Sequence, residues 1–106
     1  GRRHLGVDVF APRGTPVVAS VAGTIEHRPG AVAGLAYYLR GDDGNDYYGA
    51  HLDQLVARPG RVERGAIIGR VGTTGNARDT PPHLHFEFKP ARGPSVDPYP
   101  TLVRWC

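Results

Sequence analysis

The sequence predicts an all-β fold, a small antiparallel β-sheet domain. Fifteen glycines and ten prolines among 106 residues are too many for a helical bundle and are typical of short strands joined by tight turns. Short runs of apolar or alternating residues recur along the chain and are bounded by Gly and Pro. A chain of this length fits one compact domain, so we expect residues 1–106 to form a single domain.

Seven runs have the length and the residue types of β-strands. They are residues 7–10, 16–19, 23–27, 35–40, 46–50, 66–71 and 84–88. The segment at residues 42–45, Asp-Asp-Gly-Asn, lies between two aromatic-rich runs and predicts a hairpin loop. The one predicted helical turn covers residues 52–56, with Asp53 near its start, and is too short to organise a fold.

The charge pattern argues against a nucleic-acid-binding protein. Twelve arginines and one lysine, Lys89, contribute to a net charge of +3, and they are scattered rather than gathered in a stripe with aromatic residues. A mild positive field towards an anionic envelope polymer is the better functional interpretation. The preference for Arg over Lys, with abundant Ala, Gly and Pro, also indicates a GC-rich genome.

Other features of the composition concern the protein as a whole. The chain contains no Met and starts at Gly1, so we expect it to be a piece of a longer exported protein. It has no long apolar run, so no membrane segment is expected within this piece. Cys106 is the only cysteine, so no internal disulfide is predicted, and the pattern predicts no particular oligomeric state.

Four of the five histidines fall in three short stretches. These are residues 4–8, 48–52 and 82–87. His83 and His85 are two apart in a predicted strand, so their imidazoles face the same side about 6.6 Å apart. Leu84 and Phe86 face the other side and anchor the strand in the core. Both imidazoles can therefore address one site, although a polar strand face with two ordinary histidines gives the same pattern.

His4 and Asp8 are four residues apart, and a straight strand would place their Cα atoms roughly 13 Å apart. Gly6 permits the bend that would bring them together, although an H-x-x-x-D match alone arises by chance in many chains. Two or three histidines and one aspartate suit zinc better than calcium or magnesium. A catalytic zinc takes three protein ligands and keeps one position open, which leaves spare histidines for proton transfer.

Four motifs, in this order, resemble those of the lysostaphin-type (LytM-like) zinc metalloendopeptidases, which act on bacterial peptidoglycan. They are His4-x-x-x-Asp8, Tyr48-Gly-Ala-His51-Leu52, the run GRVERGAIIGRVGTTG at residues 60–75, and His83-Leu-His85-Phe-Glu. The similarity extends from Arg3 to about Asp97-Pro98, which is nearly the whole chain.

The resemblance implies that His4, Asp8 and His85 bind zinc and that His51 and His83 are unligated catalytic histidines. Strand geometry does not distinguish the ligand within the His83 and His85 pair, so this assignment rests on the family alone. The implied fold is a small antiparallel β domain with the zinc site in a groove on one sheet. The implied activity is hydrolysis of peptide bonds in peptidoglycan, with a location in the cell envelope, periplasmic or extracellular.

The bond that is cut is not decided by these residues, because enzymes that resemble this chain include two specificities. One is the D-amino-acid cross-link between stem peptides, and the other is a glycine bridge. The GC-rich composition favours the cross-link, since glycine bridges are mainly a feature of certain low-GC Gram-positive cocci. Two alternatives from other classes are a non-enzymatic LytM-like activator of cell-wall hydrolases and a structural zinc module. The first is disfavoured because all five family positions are filled.

Three further polar residues lie in or near the motifs, and the fifth histidine lies apart from them. Glu87 shares a strand face with the two histidines and either orients an imidazole or lies exposed on the rim. Asn76 and Thr80 either line the groove or belong to a turn. His27 matches no motif and is predicted to be a surface residue at a strand end.

Overall fold

The computed structural model describes residues 7–77 and 80–93, which form mostly antiparallel β-sheet. This part of the chain contains eight strands. They are β1 (Val7–Phe10), β2 (Pro16–Val18), β3 (Gly23–His27), β4 (Leu35–Gly41), β5 (Asp46–Leu55), β6 (Gly60–Val62), β7 (Ile67–Val71) and β8 (His83–Lys89). Its helical segments are two three-residue 3-10 turns, Gly75–Ala77 and Pro90–Arg92, and neither is long enough to cross a membrane.

The strands follow the order β1-β8-β5-β4-β3-β6, and every described pair is antiparallel. β7 lies off this path and pairs with both β5 and β2. The long strand β5 therefore takes part in two pairings: residues 46–50 pair with β8, and residues 52–55 pair with β7. The predicted all-β, antiparallel fold is confirmed.

The hydrophobic core lies on one face of the central strands. Its largest buried side chains are Ile25, Tyr37, Leu39, Tyr47, Leu52, Ile68 and Phe86. Because side chains alternate along a strand, Tyr38 and Tyr48 lie on the opposite face, where both are half-buried. We call this opposite face the groove face, and it also carries His83, His85 and Glu87.

The predicted strands are all present, and the main departure is in β5. The helical turn predicted at residues 52–56 is wrong, because Leu52 is fully buried and pairs with Val71 of β7. Pairing with a distant strand thus overrides the weak local preference. β6 is not predicted from the sequence because it has three residues and is surrounded by turn signals. The predicted hairpin loop at residues 42–45 is confirmed, since Gly41 N–H donates to the Asn45 carbonyl at 2.8 Å.

A β-bulge in β5 turns His51 out of the regular alternation. Tyr37 pairs with Gly49 and Leu35 pairs with Leu52, so β5 has one more residue than β4 over this stretch. His51 takes up the difference with a φ of 66°, in the left-handed region that few residues with a side chain adopt. The bulge allows His51 to lie beside the imidazoles of β8.

Candidate active site

A groove of about 510 Å³ runs over the groove face. Its polar lining consists of Asp8, Tyr48, His51, Thr80, His83, His85 and Glu87. It therefore brings together four of the five predicted site residues, namely Asp8, His51, His83 and His85. The fifth, His4, lies outside the described residues.

The imidazole of His85 lies between two carboxylates. Its Nδ1 is 3.0 Å from Asp8 Oδ1, and its Nε2 is 3.0 Å from Glu87 Oε2. Strand pairing produces this arrangement, because Asp8 of β1 is directly opposite His85 and Glu87 follows two residues later on the same face. Burial lowers the pKa of His85, but hydrogen bonds to Asp8 and Glu87 and their negative charges outweigh it, and the net shift is upward.

His83 is 6% exposed, and the position of its ring is fixed by the backbone. Its Nδ1 lies 2.9 Å from the Pro81 carbonyl oxygen, and the ring of Phe10 packs against it at a centroid distance of 5.1 Å. Because a carbonyl oxygen only accepts, Nδ1 carries the hydrogen and Nε2 is left as an acceptor. That Nε2 is 4.0 Å from Asp8 Oδ1.

His51 has the same arrangement on the other side of the groove. It is 9% exposed, and its Nδ1 donates to the Thr74 carbonyl oxygen at 2.9 Å, which again leaves Nε2 as the acceptor. Its ring centroid is 5.3 Å from that of His83 and 6.2 Å from that of His85. Three imidazoles therefore share one site, and two of them have the tautomer of a proton acceptor at Nε2.

The arrangement of Asp8 and His85 fits a zinc site. Zinc bonds to oxygen and nitrogen of about 2.0 to 2.2 Å, at tetrahedral angles, place two ligand atoms about 3.4 Å apart. The 3.0 Å between Asp8 Oδ1 and His85 Nδ1 is close to this spacing. Glu87 lies at the other ring nitrogen, as the outer carboxylate does in many histidine-zinc sites. Among the described residues, no group of three or more ligand-type side chains converges on one point, and the third predicted ligand is His4.

Two backbone carbonyls of the site escape prediction from the sequence. They belong to Thr74 and Pro81, and each acts through an oxygen that every residue type has, so no side-chain pattern indicates them. The Thr74 hydroxyl reinforces its position, since it donates to the Leu52 carbonyl at 2.6 Å and accepts from Leu35 N–H at 3.0 Å. Thr80 lines the groove, and its hydroxyl also donates to the Ala77 carbonyl at 2.8 Å.

The structure also bears on the positions of Glu87, Asn76 and His27, which the sequence left open. Glu87 is half-buried and bonded to His85, so it is not an exposed rim carboxylate. Asn76 lies in the 3-10 turn Gly75–Ala77, which agrees with the turn interpretation. His27 does end β3, but it is half-buried rather than a surface residue, and its Nε2 lies 2.7 Å from the Ala57 carbonyl oxygen.

Two curated proteins similar to this chain are named as peptidases. The DD-carboxypeptidase/endopeptidase Mpg of Neisseria meningitidis is 42% identical over 99 residues, which cover 92% of this chain and 22% of that protein. The L-Ala--D-Glu endopeptidase of Bacillus subtilis is 36% identical over 118 residues, covering 99% of this chain and 36% of that protein. This chain therefore spans only a minor part of the length of each of these two curated relatives.

The fold is similar to that of a solved peptidase domain. The catalytic domain of the antimicrobial peptidase lysostaphin from Staphylococcus simulans matches with a TM-score of 0.81 and 36% sequence identity, over 94% of this chain and 79% of that domain. The antiparallel sheet and its similarity to this solved domain define the class, a β-sheet peptidase domain. The chain belongs to peptidase family M23, whose family model matches residues 2–98. The predicted lysostaphin-type, LytM-like family is confirmed.

Proposed function

We propose that this chain is a zinc-dependent endopeptidase that hydrolyses peptide bonds in bacterial peptidoglycan. One observation carries the proposal. His51 and His83 are buried, have Nδ1 tied to backbone carbonyls, and lie beside the contact between Asp8 and His85. This arrangement supplies acceptor nitrogens next to a ligand pair, which hydrolysis needs and a purely structural metal site does not.

The proposed ligands are His4, Asp8 and His85. Glu87 orients the ring of His85 by accepting a hydrogen bond from Nε2, which leaves Nδ1 on the side of Asp8. When bound, zinc is a Lewis acid that polarises the scissile carbonyl and makes a water molecule acidic enough to attack it at neutral pH. Three protein ligands leave one position open for this chemistry.

The proposed catalytic residues are His51 and His83. Each has Nε2 as its acceptor atom, so either can take a proton from the attacking water and return it to the leaving amine. To stabilise the negative charge that develops on the carbonyl oxygen, the other histidine must carry a proton on Nε2 as well as on Nδ1. Their bonds to the carbonyls of Thr74 and Pro81 keep a hydrogen on Nδ1, so in the neutral ring the acceptor atom is Nε2.

The proposed substrate bond is the D-amino-acid cross-link between stem peptides. Support comes from the 42% identity to a protein named a DD-carboxypeptidase/endopeptidase, and from the Arg-rich, GC-type composition. Because peptidoglycan lies outside the cytoplasmic membrane, we further propose a periplasmic or extracellular location. We also propose that residues 1–106 form one peptidase domain.

Digestion of purified cell-wall sacculi tests the activity. The purified chain should contain one zinc per molecule by elemental analysis and should release soluble muropeptides, and Asp8→Ala should lose both properties. Arg61→Gln is a suitable control, because Arg61 pairs with Asp42 outside the groove. Two results would contradict the proposal. One is a purified chain without zinc after metal-sufficient expression, and the other is an Asp8→Ala variant that digests sacculi as well as the parent chain does.

Mass spectrometry of defined substrates tests the bond. Cross-linked stem-peptide dimers should be converted to monomers, whereas a pentaglycine peptide should remain intact. Rapid cleavage of pentaglycine with intact dimers would assign the activity to a glycine bridge instead.

A further inference from the structure

Cross-strand pairing arranges the groove face in parallel rows. The row that contains the ligand pair consists of Ala50, His85 and Asp8. The next row, about 6.6 Å away along the strands, consists of Glu26, Tyr38, Tyr48 and Glu87, each directly opposite its neighbour. A third row, about 13 Å from His85, contains Arg40, Asp46 and Lys89.

A second cavity lies over these outer rows and adjoins the groove. Its volume is about 230 Å³, and it is lined by Arg28, Tyr38, Tyr48, Glu87 and Lys89. Tyr48 and Glu87 also line the larger groove, so the two cavities share a wall. A ligand that fills the groove can therefore extend into the second cavity without leaving the groove face.

Two cations border this cavity. The Arg28 guanidinium carbon lies 4.1 Å from the centre of the Tyr38 ring, a cation–π contact that keeps the charged group beside the cavity. Glu26 accepts hydrogen bonds from Arg28 Nε and Nη2, which leaves the Nη1 donors without an acceptor among the described residues. On the opposite side, Lys89 Nζ is 3.7 Å from Glu87 Oε1 and retains further N–H donors.

The carboxylates near these cations already have partners. Glu26 is paired with Arg28, and Glu87 bonds to His85 through its other oxygen. Asp46 bonds to the Tyr38 hydroxyl at 2.6 Å and also pairs with Arg92. The donors that remain therefore suit an additional anionic acceptor.

We infer that the cavity between Arg28 and Lys89 binds a carboxylate of the stem peptide, on a residue about three positions from the scissile bond. The inference rests on the proposed peptidase function and specifies its substrate further. The spacing is consistent with this, because an extended peptide advances about 3.3 Å per residue and the cavity spans the rows from about 6.6 to 13 Å from His85. The remaining Nη1 donors of Arg28 can form a charge-assisted hydrogen bond to a carboxylate.

A pair of matched substrates tests the inference. Two cross-linked stem-peptide dimers should be identical except that this carboxylate is free in one and amidated in the other. The parent chain should hydrolyse the free acid with about tenfold higher kcat/KM, the typical effect of a hydrogen bond to a charged group. Arg28→Gln should remove this preference by raising KM for the acid, with kcat and the rate on the amide retained.

Two further variants complete the design. Lys89→Gln should reduce the preference in the same direction. Arg61→Gln removes the same charge from another exposed ion pair, with Asp42, and should leave the preference unchanged. The inference would be overturned if the parent chain hydrolysed the acid and the amide with equal kcat/KM. It would also be overturned if Arg28→Gln lowered kcat/KM equally for both substrates.

A binding measurement separates this inference from the proposed function. Fluorescence anisotropy with labelled acid and amide peptides reports the subsite even if neither peptide is cut. Tighter binding of the acid that depends on Arg28, with no hydrolysis, would support the subsite and contradict the peptidase. Hydrolysis of both peptides with equal affinities would support the peptidase and contradict the subsite.

Discussion

The imidazoles of His51 and His83 meet edge to face, with ring centroids 5.3 Å apart and an angle of 64° between the ring planes. They come from different strands, and each donates its Nδ1–H to a backbone carbonyl. His85 differs from both because its two nitrogens contact carboxylates. This difference within the histidine set agrees with the proposed division between two proton-transfer residues and one metal ligand.

Replacement of either paired histidine should remove activity and spare the metal. We expect His51→Ala and His83→Ala each to lower kcat by about 100-fold or more, because general acid–base groups contribute on that scale, while zinc content stays near one per chain. Sacculus digestion and elemental analysis measure the two quantities. His27→Ala is the control, since His27 bonds to Ala57 rather than lining the groove. If His83→Ala loses zinc while His85→Ala keeps it, their roles are reversed.

Glu87 should act as a positioning residue for the proposed zinc ligand. Because Glu87 Oε2 accepts from His85 Nε2, we expect Glu87→Ala to weaken zinc binding by about 10- to 100-fold. Glu87→Gln keeps an acceptor oxygen and should lose less. The affinity is measured by competition with a chelating indicator, and the melting temperature of the metal-free chain serves as the second readout. An unchanged zinc affinity in Glu87→Ala, with a lower melting temperature, would indicate a structural role only.

Much of this fold follows from local sequence patterns, because alternation and turn residues mark the strands directly. The HLHFE motif predicts that His83 and His85 share a face and that Phe86 enters the core, and both statements hold. β5 shows the limit of such patterns. Its second half is extended because Leu52 pairs with Val71, a contact between residues far apart in the chain that local propensity does not contain.

The sequence indicates side chains that line the groove but not the backbone groups that hold them in place. The motifs indicate Asp8, His51 and His85 because metal and proton chemistry require particular residue types. The bulge at His51 depends on the register between β4 and β5, which the sequence does not display. The carbonyl of Thr74 belongs to the same category, because any residue at that position supplies one.

As the pH is lowered, zinc binding should begin to weaken at a higher pH than it would if the ligand imidazole had its ordinary pKa. Asp8 and Glu87 raise the net pKa of His85 in the metal-free chain above its usual 6.5, so a proton competes with the metal already above that pH. By the same linkage, the protonated ring stabilises the metal-free chain, and this contribution is lost as pH rises through the raised pKa. Zinc titrations over a pH series measure the competition.

Glu87→Gln provides the matched variant for this pH dependence. It removes one of the charges that raise the pKa of His85, so the decline in zinc uptake should move to lower pH, separately from any overall loss of affinity. A profile with the same midpoint in the parent chain and in Glu87→Gln would contradict this explanation.

Gly49 should be required for the packing that supports the bulge. A Cβ atom at this position would lie 2.3 Å from Tyr37 Cε1, and Tyr37 is 2% exposed within the core, so neither group can move freely. We expect Gly49→Ala to lower the free energy of unfolding by about 1–3 kcal/mol, as overpacking does. Gly30→Ala is the control, because a Cβ there meets nothing within 4 Å, and it should change stability by less than about 0.5 kcal/mol. Urea denaturation measures both, and equal stabilities of the two variants would show that the ring of Tyr37 can give way.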